Sequence, residues 1–184
     1  CVVEDRDLRI FLHAIEQEVH HGRPGSIALG VKNATPAVSA LEAEMQAEGL
    51  GEVEIHLHHG VEQPDTAEGL RASLIEFRDT LAERHKCLSR LNGLGQPMYA
   101  FVHGNLALAN SCGGLYCGVD NEMAILQETG CYADMTLPSA PDRSQVAMIN
   151  QIYEYGGDPN EAVPHRTGTR VRVNGIKPLL PLIF

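Results

Sequence analysis

The sequence has no tryptophan, and aromatic residues make up only 5% of it. Few flat rings are therefore on offer for stacking against a sugar polymer. Basic residues are also sparse, 14 against 24 acidic ones, for a formal net charge of −10. A phosphate backbone repels that balance, and the densest basic group, Arg166, Arg170 and Arg172, is small, so nucleic acid is not expected as a partner. No apolar run approaches the ~20 residues of a membrane-spanning helix, so no membrane partner is expected. The first residues, CVVEDRDLRIF, place acids where an export signal needs a basic stretch and an apolar segment, which predicts a cytoplasmic protein. Five cysteines is an odd number and argues against a fully paired disulfide framework. Phosphate-loop (GxxxxGK[ST]) and nucleophile-elbow (GxSxG) patterns are both missing.

What is present suits a single globular unit. Of 184 residues, 43% are hydrophobic and 21% charged, enough to bury one core without covalent staples. Residues 1–184 read as one α/β domain. The absence of methionine at position 1 and the uncapped apolar end from Lys177 to Phe184 (KPLLPLIF) predict a fragment of a longer barrel.

Apolar spacing predicts helices over Asp5–His21, Pro36–Glu48, Asp65 or Thr66 to His85, Val119–Thr129, and Ser139 or Asp142 to Tyr153. Short apolar or alternating runs predict strands at Ser26–Val31, Glu52–His58, Met98–His103, Cys131–Leu137, Thr169–Val173 and Leu179–Phe184. Strands and helices alternate through short links, the pattern of parallel βαβ units. In such folds functional side chains gather where strands end.

The strongest local signal is His56, His58 and His59. Residues two apart on a strand point the same way, ~6.6–6.8 Å apart at their α-carbons, so two imidazoles can converge on one cation. Gly60 allows a sharp turn that brings His59 to the same place. The ordinary structural explanation is a pair of solvent-facing histidines on an edge strand. His103, in FVHGN, ends a second strand and is followed by Asn105. CGVDNE offers Asp120, Asn121 and Glu122 at a helix start, where Asp120 as a helix cap is the simpler role. Asp134 is an acid inside an apolar strand and needs a partner if buried. Cys112 and Cys117 lack the second close pair that a zinc site made of cysteines requires. Either one, with His103 or His56 as base, would make a thiol nucleophile.

These segments together resemble a known group. EVEIHLHH, DTAEGLRASLIEF, YAFVHGNLALANS, CGVDNEMAILQETGCYADMTLPSAP and INQIY, over roughly residues 50 to 155, resemble uncharacterised bacterial proteins that look like a branch of the polysaccharide deacetylase superfamily. The resemblance implies a distorted or incomplete (β/α) barrel. It also implies a divalent metal, in the first place zinc, and removal of acyl groups from a sugar or polysaccharide. On this reading His56 and His58, with His59 as a substitute, hold the metal. His103, Asp134 and Glu122 are the catalytic groups, and Asn105, Asp120 and Asn121 line the carbohydrate. The superfamily's acidic first motif has no counterpart before residue 50, and the histidine spacing differs from its H-x-x-x-H. Both departures fit an alternative: a catalytically inactive carbohydrate-binding or exopolysaccharide-assembly component on the same fold.

Overall fold

The computed structural model describes residues 47–48, 53–90, 95–139, 143–172 and 182–183. The helices expected over Asp5–His21 and Pro36–Glu48 and the strand over Ser26–Val31 fall, except for Ala47 and Glu48, outside the described residues.

Six short strands form one sheet: β1 (Ile55–Leu57), β2 (Tyr99–His103), β3 (Cys131–Asp134), β4 (Tyr153–Tyr155), β5 (Gly168–Arg170) and β6 (Leu182–Ile183). Their order across the sheet is β1-β2-β3-β6-β4-β5. β1, β2, β3 and β6 run parallel, whereas β4 pairs antiparallel with both β6 and β5. The architecture is mixed α/β with a small, largely parallel sheet. Among the described residues the sheet is open, with β1 and β5 at its edges, and no closed barrel is formed.

Helix α1 (Ala67–Asp79) crosses from β1 toward β2. Thr66, in extended conformation, caps it by accepting the Gly69 N–H at 3.0 Å. Leu70, Leu74 and Phe77 follow at helical spacing and are buried, each removal from water contributing ~1.5–3 kcal/mol. The stripe continues through Leu81 and Ala82 in a wider, π-helical turn over Thr80–His85, which ends at left-handed Lys86. Helix α2 (Glu122–Thr129) leads into β3 and stops at Gly130, whose φ of 102° suits a residue without a β-carbon. Ile55, Leu57, Tyr99, Phe101, Met123, Ile125 and Leu126 join these helices in one core.

Two expectations need correction. No helix spans residues 143–152, and Tyr153–Tyr155 is a strand instead. The polar groups that look like a helix start bond locally. Ser139 Oγ meets Ser144 Oγ at 2.8 Å, and Gln145 Oε1 accepts the Ser139 N–H at 2.6 Å. Such bonds compete with helix formation, and the tyrosines suit a strand. The α2 helix also starts at Glu122, not Val119, because residues 117–121 are held in a loop that packs against residues 60–65. There Cys117 O accepts the Asp65 N–H at 2.8 Å.

Candidate functional site

The parallel register aligns His56 with Val102 and Leu57 with His103. Aligned residues share a face, so His103 lies on the core side with Leu57, and His56 projects from the opposite side. His58, just past the end of β1, returns to the His56 side, and the two Nε2 atoms stand 3.2 Å apart. His58 Nδ1 meets Asn105 Oδ1 at 2.6 Å. An amide oxygen only accepts, so His58 donates from Nδ1 and turns Nε2 toward His56. A β-carbon on Gly104 would fall into the His58 ring, which explains a glycine there. Burial first, then the nearby His58, lowers the pKa of His56 and favours its neutral form.

His59 departs from this pair. Its ring lies on the core side, in alternation with Ile55 and Leu57, and the chain turns directly after it at Gly60, which has φ 65° and no room for a side chain beside Cys117. Its Nε2 lies 3.0 Å from Glu122 Oε1 and its Nδ1 lies 3.2 Å from Asp65 Oδ2. Burial alone would lower its pKa, but the hydrogen bonds and charges of Asp65 and Glu122 outweigh that and raise it to about 9. His59 is therefore a buried imidazolium between two carboxylates. Burial likewise opposes ionisation of Glu122, yet His103, His59 and the Ala109 amide hold its carboxyl down at about 2.

Glu122 collects most of the remaining polar groups. Its Oε2 accepts the Ala109 N–H at 2.6 Å and lies 3.4 Å from Cys117 Sγ. His103 stacks obliquely on His59, with centroids 4.6 Å apart, and its Nε2 is 3.9 Å from Glu122 Oε1. His103 Nδ1 accepts the Asn105 N–H at 3.2 Å, so the proton sits on Nε2, a fully buried atom with no hydrogen-bond partner among the described residues. Burial keeps His103 neutral, with its pKa lowered to about 4. Ligand atoms of His59, His103, Cys117 and Glu122 all lie within 4.8 Å of one another, so this buried cluster could hold a metal ion. Burial pushes the Cys117 thiol far up, with the Glu122 charge adding to it, so at neutral pH Cys117 is no thiolate nucleophile.

The other expected site residues divide. Asn105 bridges the two groups: its Oδ1 holds His58, and its Nδ2 donates to the His59 carbonyl at 3.0 Å. Asp120 meets neither group; its carboxylate accepts from Asn110 Nδ2 at 2.6 Å. The cap position of α2 belongs to Asn121, whose side chain makes no capping bond. Asp134 is fully buried, but its carboxylate takes both the Thr136 N–H (3.0 Å) and the Thr136 hydroxyl (2.9 Å). It reaches His103 only through that residue, since Thr136 Oγ accepts the His103 N–H at 2.8 Å. Burial pushes the Asp134 carboxyl up to about 7, although Thr136 opposes the shift.

Sequence reading missed two participants. Asp65 looks like an ordinary helix-start residue, and nothing in its spacing announces His59. His165, in the middle of a short turn (Pro164–Arg166), is fully buried with neither ring nitrogen bonded among the described residues; burial lowers its pKa to about 4 against the pull of Glu122. The loop between β2 and α2 is strained around the cluster. Leu106, Ala109, Asn110 and Tyr116 all have positive φ, at a cost of order 1–3 kcal/mol each, and Ala109 is the residue whose N–H reaches Glu122.

Set against protein-family models, curated proteins and solved structures, the chain matches none.

Proposed function

We propose that the protein is a metal-dependent hydrolase that removes acyl groups from a sugar or polysaccharide. The observation that carries the metal is the 3.2 Å separation of His56 Nε2 and His58 Nε2. Two ligands bound at ~2.0–2.1 Å in a tetrahedral arrangement lie about 3.3 Å apart. The His58 tautomer supports the same reading, because a ligating histidine normally donates its other ring N–H to an oxygen that orients it. Both rings are half-buried, so positions beyond them stay open to water and substrate, as a catalytic ion needs.

A divalent ion of the zinc class, bound there, would polarise an acyl carbonyl and acidify a bound water. The chain's own contribution is positioning. Asn105 fixes His58, Gly104 clears the space for its ring, and the Asn105 Nδ2–His59 carbonyl bond ties that arrangement to the buried groups. The sugar as substrate rests on the motif resemblance over residues 50 to 155.

A second reading, a carbohydrate-binding or assembly component without catalysis, is favoured by the complete burial of His103, Glu122 and Asp134, which leaves these acid–base groups out of a substrate's reach. One experiment separates the two: elemental analysis of the purified chain, then acetate release from acetylated chito-oligosaccharides before and after chelation. Bound metal with chelator-sensitive release supports the hydrolase. Sugar binding with no metal and no release supports the second reading.

A further inference from the structure

We propose that His59, His103, Cys117 and Glu122 form a second, closed cation site, structural in kind, on the face of the β1–β2 pair opposite His56. The cluster is independent of the His56–His58 pair and of the hydrolase reading.

The four side chains come from four separate segments: the turn after β1, the end of β2, the loop before α2, and the first residue of α2. Their ligand atoms lie within 4.8 Å of one another, and none of the four residues is more than 7% exposed. Two imidazoles, a thiol and a carboxylate make a complete donor set for zinc or cobalt. Four protein ligands with no open position is the arrangement of structural rather than catalytic ions. Independently, His103 Nε2 is buried, unpartnered and directed at Glu122 from 3.9 Å. An ion between the two would give that buried atom a partner. Asp65 adds the outer layer. With His59 Nε2 on the ion, His59 Nδ1 faces the Asp65 carboxylate at 3.2 Å, the pairing of a carboxylate behind a ligating histidine.

Protons are the competing occupants. Binding would displace the proton of the Cys117 thiol and any proton on His59 Nε2. It would also move the His103 proton from Nε2 to Nδ1, giving up the 3.2 Å bond from Asn105 N–H. Ion binding should therefore release protons, and affinity should rise with pH.

The test uses the whole chain, freed of metal and titrated with cobalt(II). The expected result is a near-ultraviolet thiolate-to-cobalt absorption. The absorption should be lost in Cys117→Ser and retained in His56→Ala, the variant that removes the other pair. Zinc should also protect Cys117 from alkylation, read by peptide mass spectrometry on the unmutated protein, which needs no variant to fold. Cobalt binding without the thiolate absorption, an absorption that survives Cys117→Ser, or alkylation of Cys117 unaffected by zinc would each overturn the proposal. Loss of activity in His56→Ala alongside a normal cobalt spectrum would bear on the hydrolase reading alone.

Discussion

At the residue scale, Asn105 has the largest ratio of consequence to size. One amide sets the His58 tautomer through Oδ1 and holds the His59 carbonyl through Nδ2. Outer residues of this kind tune a ligand's basicity and direction, so Asn105→Ala should weaken zinc binding at the His56–His58 pair by roughly 10–100-fold. Competition with a chromophoric chelator measures this; an unchanged affinity would show that the Asn105 amide does not direct that ring. Glu122 makes a different kind of prediction. Its carboxylate is fully buried against a protonated His59, and removing one partner of such a pair typically costs about 3–5 kcal/mol because the other charge is left uncompensated. Denaturant unfolding of Glu122→Gln should show a loss of that order. A loss under ~1 kcal/mol would mean that His59 is neutral in the fold.

At the scale of elements, two loops are clasped to each other: residues 60–65 after β1 and residues 104–118 after β2. Gly60 is the point of closest approach, with a positive φ and no space for a β-carbon beside the Cys117 carbonyl. Gly60→Ala should destabilise the protein by about 1–3 kcal/mol from the backbone conformation alone, with the steric clash in addition. It should also disturb His59 before it disturbs α1, whose cap at Thr66 lies beyond the clasp; imidazole chemical shifts compared with helix content by circular dichroism would show that order. This scale also marks the boundary of what the sequence discloses. The α1 stripe, the β1 and β2 strands, and the start of β3 are legible because alternation and helical spacing follow directly from burial on one side. The surroundings of the histidines are not. Alternation already sets His59 on the Leu57 face and His56 with His58 on the other, but the groups that meet His59 there, Glu122 and Cys117, come from a distant segment whose approach no local pattern reveals. In the same way, the helix expected before Tyr153 fails because Ser139, Ser144 and Gln145 satisfy one another, a pairing that no periodicity reveals.

At the scale of the whole molecule, the buried ionisable groups predict the pH dependence of stability. His59, raised to about 9, contributes stability fully below its unfolded value near 6.5, and that is lost as pH rises through 9. Asp134, raised to about 7, binds its proton more tightly when folded, so stability falls as pH climbs from its unfolded value toward 7. His103 and His165, both lowered to about 4, act oppositely: the fold excludes their protons, and stability falls as pH drops from about 6.5 toward 4. Glu122, held at about 2, contributes stability above its unfolded value that is lost as pH falls toward 2. The metal-free chain should thus be most resistant to denaturant near pH about 6.5, declining on both sides. His59→Gln should flatten the alkaline decline, and an alkaline limb unchanged by that substitution would refute the assignment of His59 as the cation.

The cysteines turn the core into a clock. Cys87, Cys117 and Cys131 are sealed inside, while Cys112 lies half-buried in the strained loop. Among these four described cysteines, a thiol-reactive dye should thus mark Cys112 first and the interior three only as fast as the surrounding segments breathe open. Peptide-resolved labelling rates would then rank the opening of α1's end, the clasped loops and β3 on one timescale, with no probe engineered into the chain.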